Sequence, residues 1–383
     1  MKIVIACDVL GKKNNGTSMA AYNLIDYLKS KGHDVTVICN DKDKEGVQGY
    51  VVVSKLNLGK PLNKILDKNG VALTKIHKKD KEKIYNAVKG CDIVHCMLPF
   101  SLGIAVLKTA KDMEIPVTAG FHCQAENVTS HFFVMNSKLI NKMVYKVFKR
   151  KFYKYVDAIH YPTQFMRDTY EKVAGPTNGY VISNGVNKYV RSKEVEKPEN
   201  LKDKFVILTT GRMSTEKKQI VLLKAIAKSK YNDKIQLIMA GQGPLKNKLI
   251  AYAKKHLKNQ PIMNYYSREE MIDVLNYCDL YAHPAEAELE GIACLEACVC
   301  GLVPVVSDSE KAATKNFALT ENNKFKCNDE DDLARKIEYW IEHPEEKAAC
   351  KKQYINYGCI FDQDDCMDRM EKMFEEVIAN NKK

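Results

Sequence analysis

KIVIACDVLGKKNNGTSMAAYNLIDYLKSKGHDVTVI, residues 2–38, decides the fold class. The run KIVIACDV is apolar and rich in β-branched residues, which suits a buried strand. A loop with Gly16 follows, and Ala20, Leu24 and Leu28 then recur at helical spacing over about 17–31. Gly32 closes that helix and Asp34 to Ile38 opens a second strand. Strand, helix and strand in so short a stretch make a right-handed parallel crossover. The alternation returns as a strand at Asp92–Met97, a helix at about 101–113, and strands at Pro116–Phe121 and Ala158–Pro162. The first half therefore predicts a doubly wound parallel sheet.

Residues 187–204, NKYVRSKEVEKPENLKDK, are polar, charged and proline-containing, and read as a linker. The pattern then restarts with a strand at Phe205–Thr210, a helix over Lys217–Lys228 and a strand at Ile235–Ala240. Gly243-Pro244 opens another helix, strands follow near Asp279–Ala282 and Val303–Val306, and amphipathic helices run from about 330 to the end. The expectation is an α/β protein of two Rossmann-like domains, 1–186 and 205–361, with a C-terminal helix at about 362–383 packing back on the first. In such sheets ligands lie beyond the carboxyl ends of the strands, so two domains facing a central cleft are expected to bind there.

Composition fits that division. A chain of 383 residues, 45% hydrophobic and 28% charged, exceeds what one core usually organises. No run approaches the roughly 18 apolar residues of a membrane-spanning helix. MKIVIACDVL lacks the features of a secretory leader, so a cytoplasmic location is expected. The 13 cysteines are odd in number and scattered among apolar positions, as reduced core thiols are. Cys294, Cys298 and Cys300 form the one cluster, without a second cluster or a suitably spaced histidine, and core packing explains them better than a metal. Residues 1–200 carry 32 Lys/Arg against 19 Asp/Glu, whereas residues 201–383 carry 28 against 29. A basic first half suggests an anionic partner: a membrane surface, a nucleic acid or a phosphorylated substrate.

The loop after the first strand, LGKKNNGTS, has no G-x-G-x-x-G, which argues against a dehydrogenase. Gly16 either lets a backbone approach a ligand at a helix N-terminus or only makes the turn. Strand FVILTT leads into Gly211-Arg212, with Lys217 five residues on. A guanidinium and an ammonium at a strand end suit a diphosphate, although basic residues are common on surfaces. Gly241-Gln242-Gly243 makes a tight turn after the next strand, where a base or phosphate could approach the backbone. Glu288 and Glu296, separated by seven residues with Gly291 between, can accept paired hydrogen bonds from the vicinal hydroxyls of a sugar. Four glutamates between 286 and 296 also fit a solvated loop, but Glu296 stands inside the apolar stretch Ile292–Val299.

GRMSTEK (211–217), AGQGPL (240–245) and Glu288-x7-Glu296, in that order, resemble the retaining glycosyltransferases of family 4, which have the GT-B fold. GHDVTVI (32–38), TAGFHCQAEN (118–127) and VISNGVN (181–187) extend the resemblance over nearly the whole chain. The resemblance implies that Gly211, Arg212, Lys217 and Gly241 line the donor diphosphate site. It implies that Glu296 holds the ribose hydroxyls, and that Glu288 holds those of the transferred sugar beside the amides near Gly291 and Ile292. His122 would face the donor sugar as a positioning group, and Gly16 would lie near the phosphates and the acceptor. Two departures are Glu290, where the family usually has an aromatic or apolar residue, and Lys12-Lys13-Asn14-Asn15, where a second glycine is common. No paired-Asp motif is present and the resemblance implies no metal or other cofactor. It implies retention by front-face attack on an oxocarbenium-like centre, with Arg212 and Lys217 stabilising the departing diphosphate.

FHCQAENVTSHF (121–132) and TKNFALTENNKF (314–325) lean toward lipid-modifying or cell-envelope members such as diacylglycerol glucosyltransferases. Residues 138–155, KLINKMVYKVFKRKFYKY, hold seven basic residues and no acidic one. Their spacing places Ile140, Met143, Val144, Val147, Phe148 and Phe152 on one helical face, flanked by Lys142, Lys146, Lys149, Arg150 and Lys151. Such a helix either covers the sheet or rests on anionic lipid. The leading expectation is transfer of a hexose from a UDP-linked sugar to a membrane lipid or lipid-linked cell-envelope glycan, by a protein peripheral to the inner face of the membrane. The alternatives are another two-Rossmann nucleotide-sugar enzyme of epimerase type, or a basic nucleic-acid-binding protein. Against the last, no aromatic-interleaved basic motif or recognition helix is present, so no nucleic-acid partner is expected.

Overall fold

The computed structural model describes residues 1–11, 16–56, 59, 74–130 and 134–382. Lys12 to Asn15 of the first glycine loop, and His131 and Phe132 of the stretch 121–132, lie outside the described residues. Two units are formed: Met1–Asn184 with Asp364–Lys383, and Gly185–Gln363. Each is a parallel-sheet α/β structure, and 13 helices are present among the described residues.

The first unit is built on β1 (Lys2–Cys7), β2 (Asp34–Cys39), β3 (Tyr50–Val52), β4 (Ile93–Cys96), β5 (Val117–Gly120), β6 (Ala158–Tyr161) and β7 (Gly179–Val181). Their order is β3-β2-β1-β4-β5-β6-β7, every pair parallel. β1 is central, running from Lys2↔Asp34 to Cys7↔Cys39 on one side and from Ile3↔Ile93 to Ala6↔Cys96 on the other. Ile3, Val4, Ile5, Ala6 and Cys7 are all buried because helices cover both faces. These are α1 (Gly16–Ser30), α2 (Lys78–Val88), α3 (Ser101–Asp112), α4 (Ala125–Ser130), α5 (Lys138–Lys151) and α6 (Gln164–Ala174). Thr163 caps α6 by accepting from the Met166 amide, and Ser137 caps α5 through the Ile140 amide.

The second unit has β8 (Phe205–Thr210), β9 (Ile235–Ala240), β10 (Ile262–Asn264), β11 (Leu280–His283), β13 (Pro304–Ser307) and β15 (Lys324–Phe325) in the order β10-β9-β8-β11-β13-β15, again parallel. A small ladder pairs β12 (Ala287–Glu288) with β14 (Lys311–Ala312). Its helices are α7 (Gln219–Lys228), α8 (Lys246–His256), α9 (Arg268–Tyr277), α10 (Ile292–Val299), α11 (Glu330–Glu342) and α12 (Pro344–Cys359). Cys294, Cys298 and Cys300 are buried in this core.

Residues 187–204 pack as part of the second unit. Val190 and Leu201 are buried in its core, and Lys197 pairs with Asp279 at 2.6 Å. Their polarity reflects a surface segment with two apolar anchors. The last helix, α13 (Gln363–Asn381), belongs with the first unit from Asp364 onward. Met367, Met370, Met373, Phe374 and Val377 are buried, His33 lies 2.6 Å from Glu371, and Tyr180 donates to Glu376 at 2.9 Å. No described helix is long and apolar enough to cross a membrane.

Candidate functional site

Two glycine turns interlock at the carboxyl ends of β8 and β9. Gly211 and Gly241 have φ of +124° and +147°, which disfavours any side chain. A Cβ on Gly241 would lie 2.1 Å from the Gly211 carbonyl oxygen, and one on Gly243 would lie 2.3 Å from that of Met213. The absent side chains let the Gly211 amide donate to Ala240 O at 2.9 Å and the Met213 amide to Gln242 O at 3.0 Å. The result is a rigid, exposed backbone platform where a β/α ligand would be expected.

Arg212 leaves this platform partly exposed, its backbone fixed by Gln219 Nε2 donating to its carbonyl at 2.8 Å. Lys217 does not begin the following helix. It ends a 3₁₀ turn, Thr215–Lys217, and Lys218 takes a left-handed conformation (φ +51°) before α7 starts at Gln219. That break turns the Lys217 ammonium onto Glu288, with which it forms an ion pair. His283 Nε2 lies 3.2 Å from the same Glu288 oxygen. The His283 Nδ1 lies 3.3 Å from the Tyr281 hydroxyl, itself 2.6 Å from Thr210 Oγ1. Burial alone would raise the Glu288 carboxyl, but Lys217 and His283 outweigh it and pull the group down to about 2. Burial lowers the His283 pKa against the opposing pull of Glu288.

The other loop glutamates divide. Glu286 is buried between Lys218 and Lys311, each at 2.8 Å, and serves to hold the loop. Glu290 is only 4% exposed. Gly291 (φ +87°) begins α10, where a Cβ would meet Thr314 Cγ2 at 2.3 Å, and Ile292 is the first helical residue. One turn further, Glu296 lines a cavity of about 150 Å³ with Thr210, Gly241, Tyr265, Tyr266 and Leu275. Burial there raises its carboxyl to about 7, with Arg268 as the opposing charge.

The second unit thus gathers Gly211, Arg212, Lys217, Gly241, Glu288, Gly291, Ile292 and Glu296 around the ends of β8, β9 and β11. Sequence reasoning passed over His283, Thr210, Tyr265 and Tyr266. The His-Pro pair after an apolar strand was a usable signal for the first, while the others depend on sheet order. Gly16 and His122 belong to the first unit, where Thr17 Oγ1 lies 3.4 Å from the His122 carbonyl. His122 is buried beside His95 and His160, and burial, reinforced by those two rings, holds it well below the ordinary histidine range.

The face expected along α5 is split. Tyr145 and Phe148, with Phe152 beyond the helix, point into the core, and Asn141 accepts from Thr129 at 2.7 Å. Leu139, Ile140, Met143 and Val147 point out, exposed by 71%, 36%, 57% and 45%. Lys142, Lys146, Lys149, Arg150 and Lys151 are exposed around them. A 3.6-residue repeat brings 139, 143 and 147 onto one line and 141, 145, 148 and 152 onto another, so the apolar residues cannot share a face.

Residues 14–188 match the family described as Glycosyltransferase Family 4, and residues 190–356 match Glycosyl transferases group 1. Alpha-monoglucosyldiacylglycerol synthase of Streptococcus pneumoniae is 28% identical over 233 residues, 56% of this chain and 51% of that protein. The chain spans about half the length of that curated relative. The catalytic domain of a cholesterol-alpha-glucosyltransferase from Helicobacter pylori is 39% identical over 41% of this chain and 98% of its own, with a TM-score of 0.40. Anabaena HepE, solved with UDP-glucose, shares the fold over 98% of this chain and 100% of its own at a TM-score of 0.76 and 15% identity. The two family matches together take in nearly the whole sequence, and the chain belongs to the GT-B glycosyltransferases of family 4, its second unit carrying the group 1 glycosyl transferase domain.

Proposed function

We propose that this protein transfers a hexose, with retention, from a UDP-linked sugar to a membrane lipid or a lipid-linked cell-envelope glycan. The observation that carries the donor half is the Lys217–Glu288–His283 arrangement next to the cavity lined by Glu296. A diphosphate arriving at the glycine platform would draw Lys217 from Glu288 and bind Arg212 as well. Glu288 would then be left ionised, an acceptor for sugar hydroxyls, with His283 still holding one oxygen. Glu296, beside Thr210 and the two tyrosines, is suited to the ribose hydroxyls.

Arg212 and Lys217 would stabilise the charge that develops on the departing diphosphate, a contribution of about 10²–10³ in rate for a single well-placed donor. With the donor bound, Glu288 keeps the His283 contact and accepts from the sugar hydroxyls, a binding role, and the transfer is proposed to run by front-face attack. These two cations do at the diphosphate what a metal would otherwise do, so the transfer is proposed to proceed without one. His122, kept neutral by burial, serves as a positioning group rather than a base.

The acceptor half rests on the exposed stripe of α5 and on the relative named as a monoglucosyldiacylglycerol synthase. A protein resting its basic first half on anionic lipid would act peripherally, at the cytoplasmic face.

The test is thermal stabilisation by UDP-, GDP- and ADP-sugars, followed by product analysis with acceptor lipid in vesicles, with and without EDTA. UDP-sugar at a hundredfold excess over its dissociation constant stabilises by about 2.7 kcal/mol. That shift should vanish in Glu296→Ala, and the product should keep the donor anomer in EDTA. A folded protein that no nucleotide sugar stabilises, even with vesicles present, would sink the reading.

A further inference from the structure

Three buried histidines converge inside the first unit, and the sheet register explains how. His95 on β4 pairs with Thr118 on β5, and Gly120 on β5 pairs with His160 on β6. Thr118 and Gly120 are two residues apart and share a face, so His95, Gly120 and His160 stand side by side on it. His122 folds back over Gly120, where a Cβ would lie 2.5 Å from His122 Nε2 and 3.5 Å from His95 Nε2. The three rings line a cavity of about 10 Å³, the size of one small ion or water, together with Met97, Asn184, Met367 and Met370.

The hydrogen bonds fix where the lone pairs point. His160 Nε2 faces the Ile182 carbonyl at 2.7 Å, so it carries the proton and Nδ1 is bare. Thr118 Oγ1 donates to Val94 O at 3.3 Å and lies 2.9 Å from His95 Nδ1. Placing the threonine proton on Val94 O makes His95 Nδ1 the donor and leaves Nε2 bare, the tautomer that strands no buried ring N–H. Those two bare atoms, His95 Nε2 and His160 Nδ1, are both buried and have no hydrogen-bond partner. One ring nitrogen from each of the three histidines lies within 4.8 Å of the others.

We propose that His95, His122 and His160 form a binding site for one divalent transition-metal ion, zinc foremost. Imidazole nitrogens suit zinc, and a metal-bound histidine almost always donates its other ring N–H to a carbonyl or hydroxyl, as the Ile182 carbonyl and the Thr118 hydroxyl receive here. Tetrahedral zinc at about 2.0–2.1 Å from nitrogen needs ligands about 3.3 Å apart, so the rings close inward on binding. Gly120 lets the His122 ring lie against the strand beside His95. Coordination would tie the ends of β4, β5 and β6 together and, through the Thr17 contact to the His122 carbonyl, steady the start of α1. The ion uses only residues of the first unit, and it would engage the His122 ring, so zinc loading is expected to lower sugar transfer where His122 positions the donor sugar.

The experiment uses the full chain, stripped with EDTA and titrated with Zn²⁺ alone, then with Co²⁺ as a spectroscopic substitute. The expected result is one ion per chain by elemental analysis, visible cobalt bands of a four-coordinate site with three nitrogen ligands and one water, and a zinc-dependent rise in melting temperature that EDTA reverses. His95→Gln and His160→Gln should abolish binding, and His343→Gln, a histidine of the second unit, should leave it unchanged. Thr118→Val, which removes only the supporting hydroxyl, should weaken binding about 10–100-fold. Should the histidine variants fail to fold, the titration and the Thr118→Val comparison still decide. Substoichiometric zinc, binding that survives in His95→Gln, or binding of copper(I) alone through the methionine sulfurs would overturn the assignment.

Discussion

Glu288 and Glu296 leave the same loop and helix yet titrate in opposite directions, and each direction has a consequence. Burial raises Glu296 to about 7 from an ordinary 4.5. In the unfolded chain it ionises first, so its contribution to stability is whole below about pH 4.5 and is lost as pH climbs toward 7. With partial exposure discounted, the loss is about 2 kcal/mol. Glu296→Gln should therefore be more stable than wild type at pH 7.5 by about that amount, equally stable near pH 4.5, and more than tenfold weaker for the donor. Parallel urea midpoints across that range would show that the carboxyl is not desolvated. Glu288, pulled down to about 2, behaves inversely: its contribution is present above about pH 4.5 and disappears as pH falls toward 2. Glu288→Gln strands the Lys217 ammonium and should cost about 1–3 kcal/mol at pH 7. Its kcat should fall while nucleotide affinity rises, because Lys217 no longer has to leave Glu288, and steady-state kinetics and calorimetry separate the two. Both glutamates were legible in the sequence because a loop and the helix after it keep seven intervening residues together. His283 as the partner of Glu288, and the meeting of His95, His122 and His160, were not legible. They depend on which strands lie side by side, a long-range property that no local spacing encodes.

Strands and helices were read closely where both faces of a strand are buried, as in β8 and β9, whose bounds Phe205–Thr210 and Ile235–Ala240 follow the apolar runs. The short edge strands β3 and β7 were missed, since three half-buried residues carry no period. The helix expected from Lys217 starts at Gln219 because Lys218 is left-handed, a local strain that composition does not reveal. On α5 the sequence showed an amphipathic helix but merged its two apolar lines into one. The structure separates the inward Tyr145 and Phe148 from the outward Leu139, Met143 and Val147, and that separation makes the element testable. Replacing the three outward residues with serine removes no core contact, so the melting temperature should hold while vesicle binding falls. Changing Lys142, Lys146, Lys149 and Lys151 to Glu removes about 1 kcal/mol of attraction each near an anionic surface, roughly a thousandfold in all at low salt. Cosedimentation with anionic and neutral vesicles measures both, and wild type should release as salt rises. Undiminished binding by the lysine variant would return α5 to a plain covering helix.

The chain leaves its first unit after Asn184, completes the second by Gln363, and returns to the first with the last helix. Each unit has its own parallel sheet, but only the second is continuous in sequence. Met367, Met370, Met373, Phe374 and Val377 on α13 are buried in the first unit, and Met367 and Met370 close the histidine cavity. Large buried side chains cost about 2–5 kcal/mol each when truncated. Removing five, about 10–25 kcal/mol, equals or exceeds the roughly 5–15 kcal/mol that holds a whole domain together. A chain ending at Gln363 should therefore lose the first unit's cooperative transition and keep the second. Scanning calorimetry of the full chain should show two transitions, of which a donor nucleotide raises one, and that one should survive in the shortened chain with nucleotide affinity intact. The shortened chain should transfer no sugar, because the first unit carries His122, Gly16 and α5. Its basic surface would then belong to an unfolded segment, so vesicle binding would persist without transfer, separating charge attraction from acceptor presentation. If the shortened chain instead kept both transitions, the last helix would be an ornament on the first unit rather than a wall of its core.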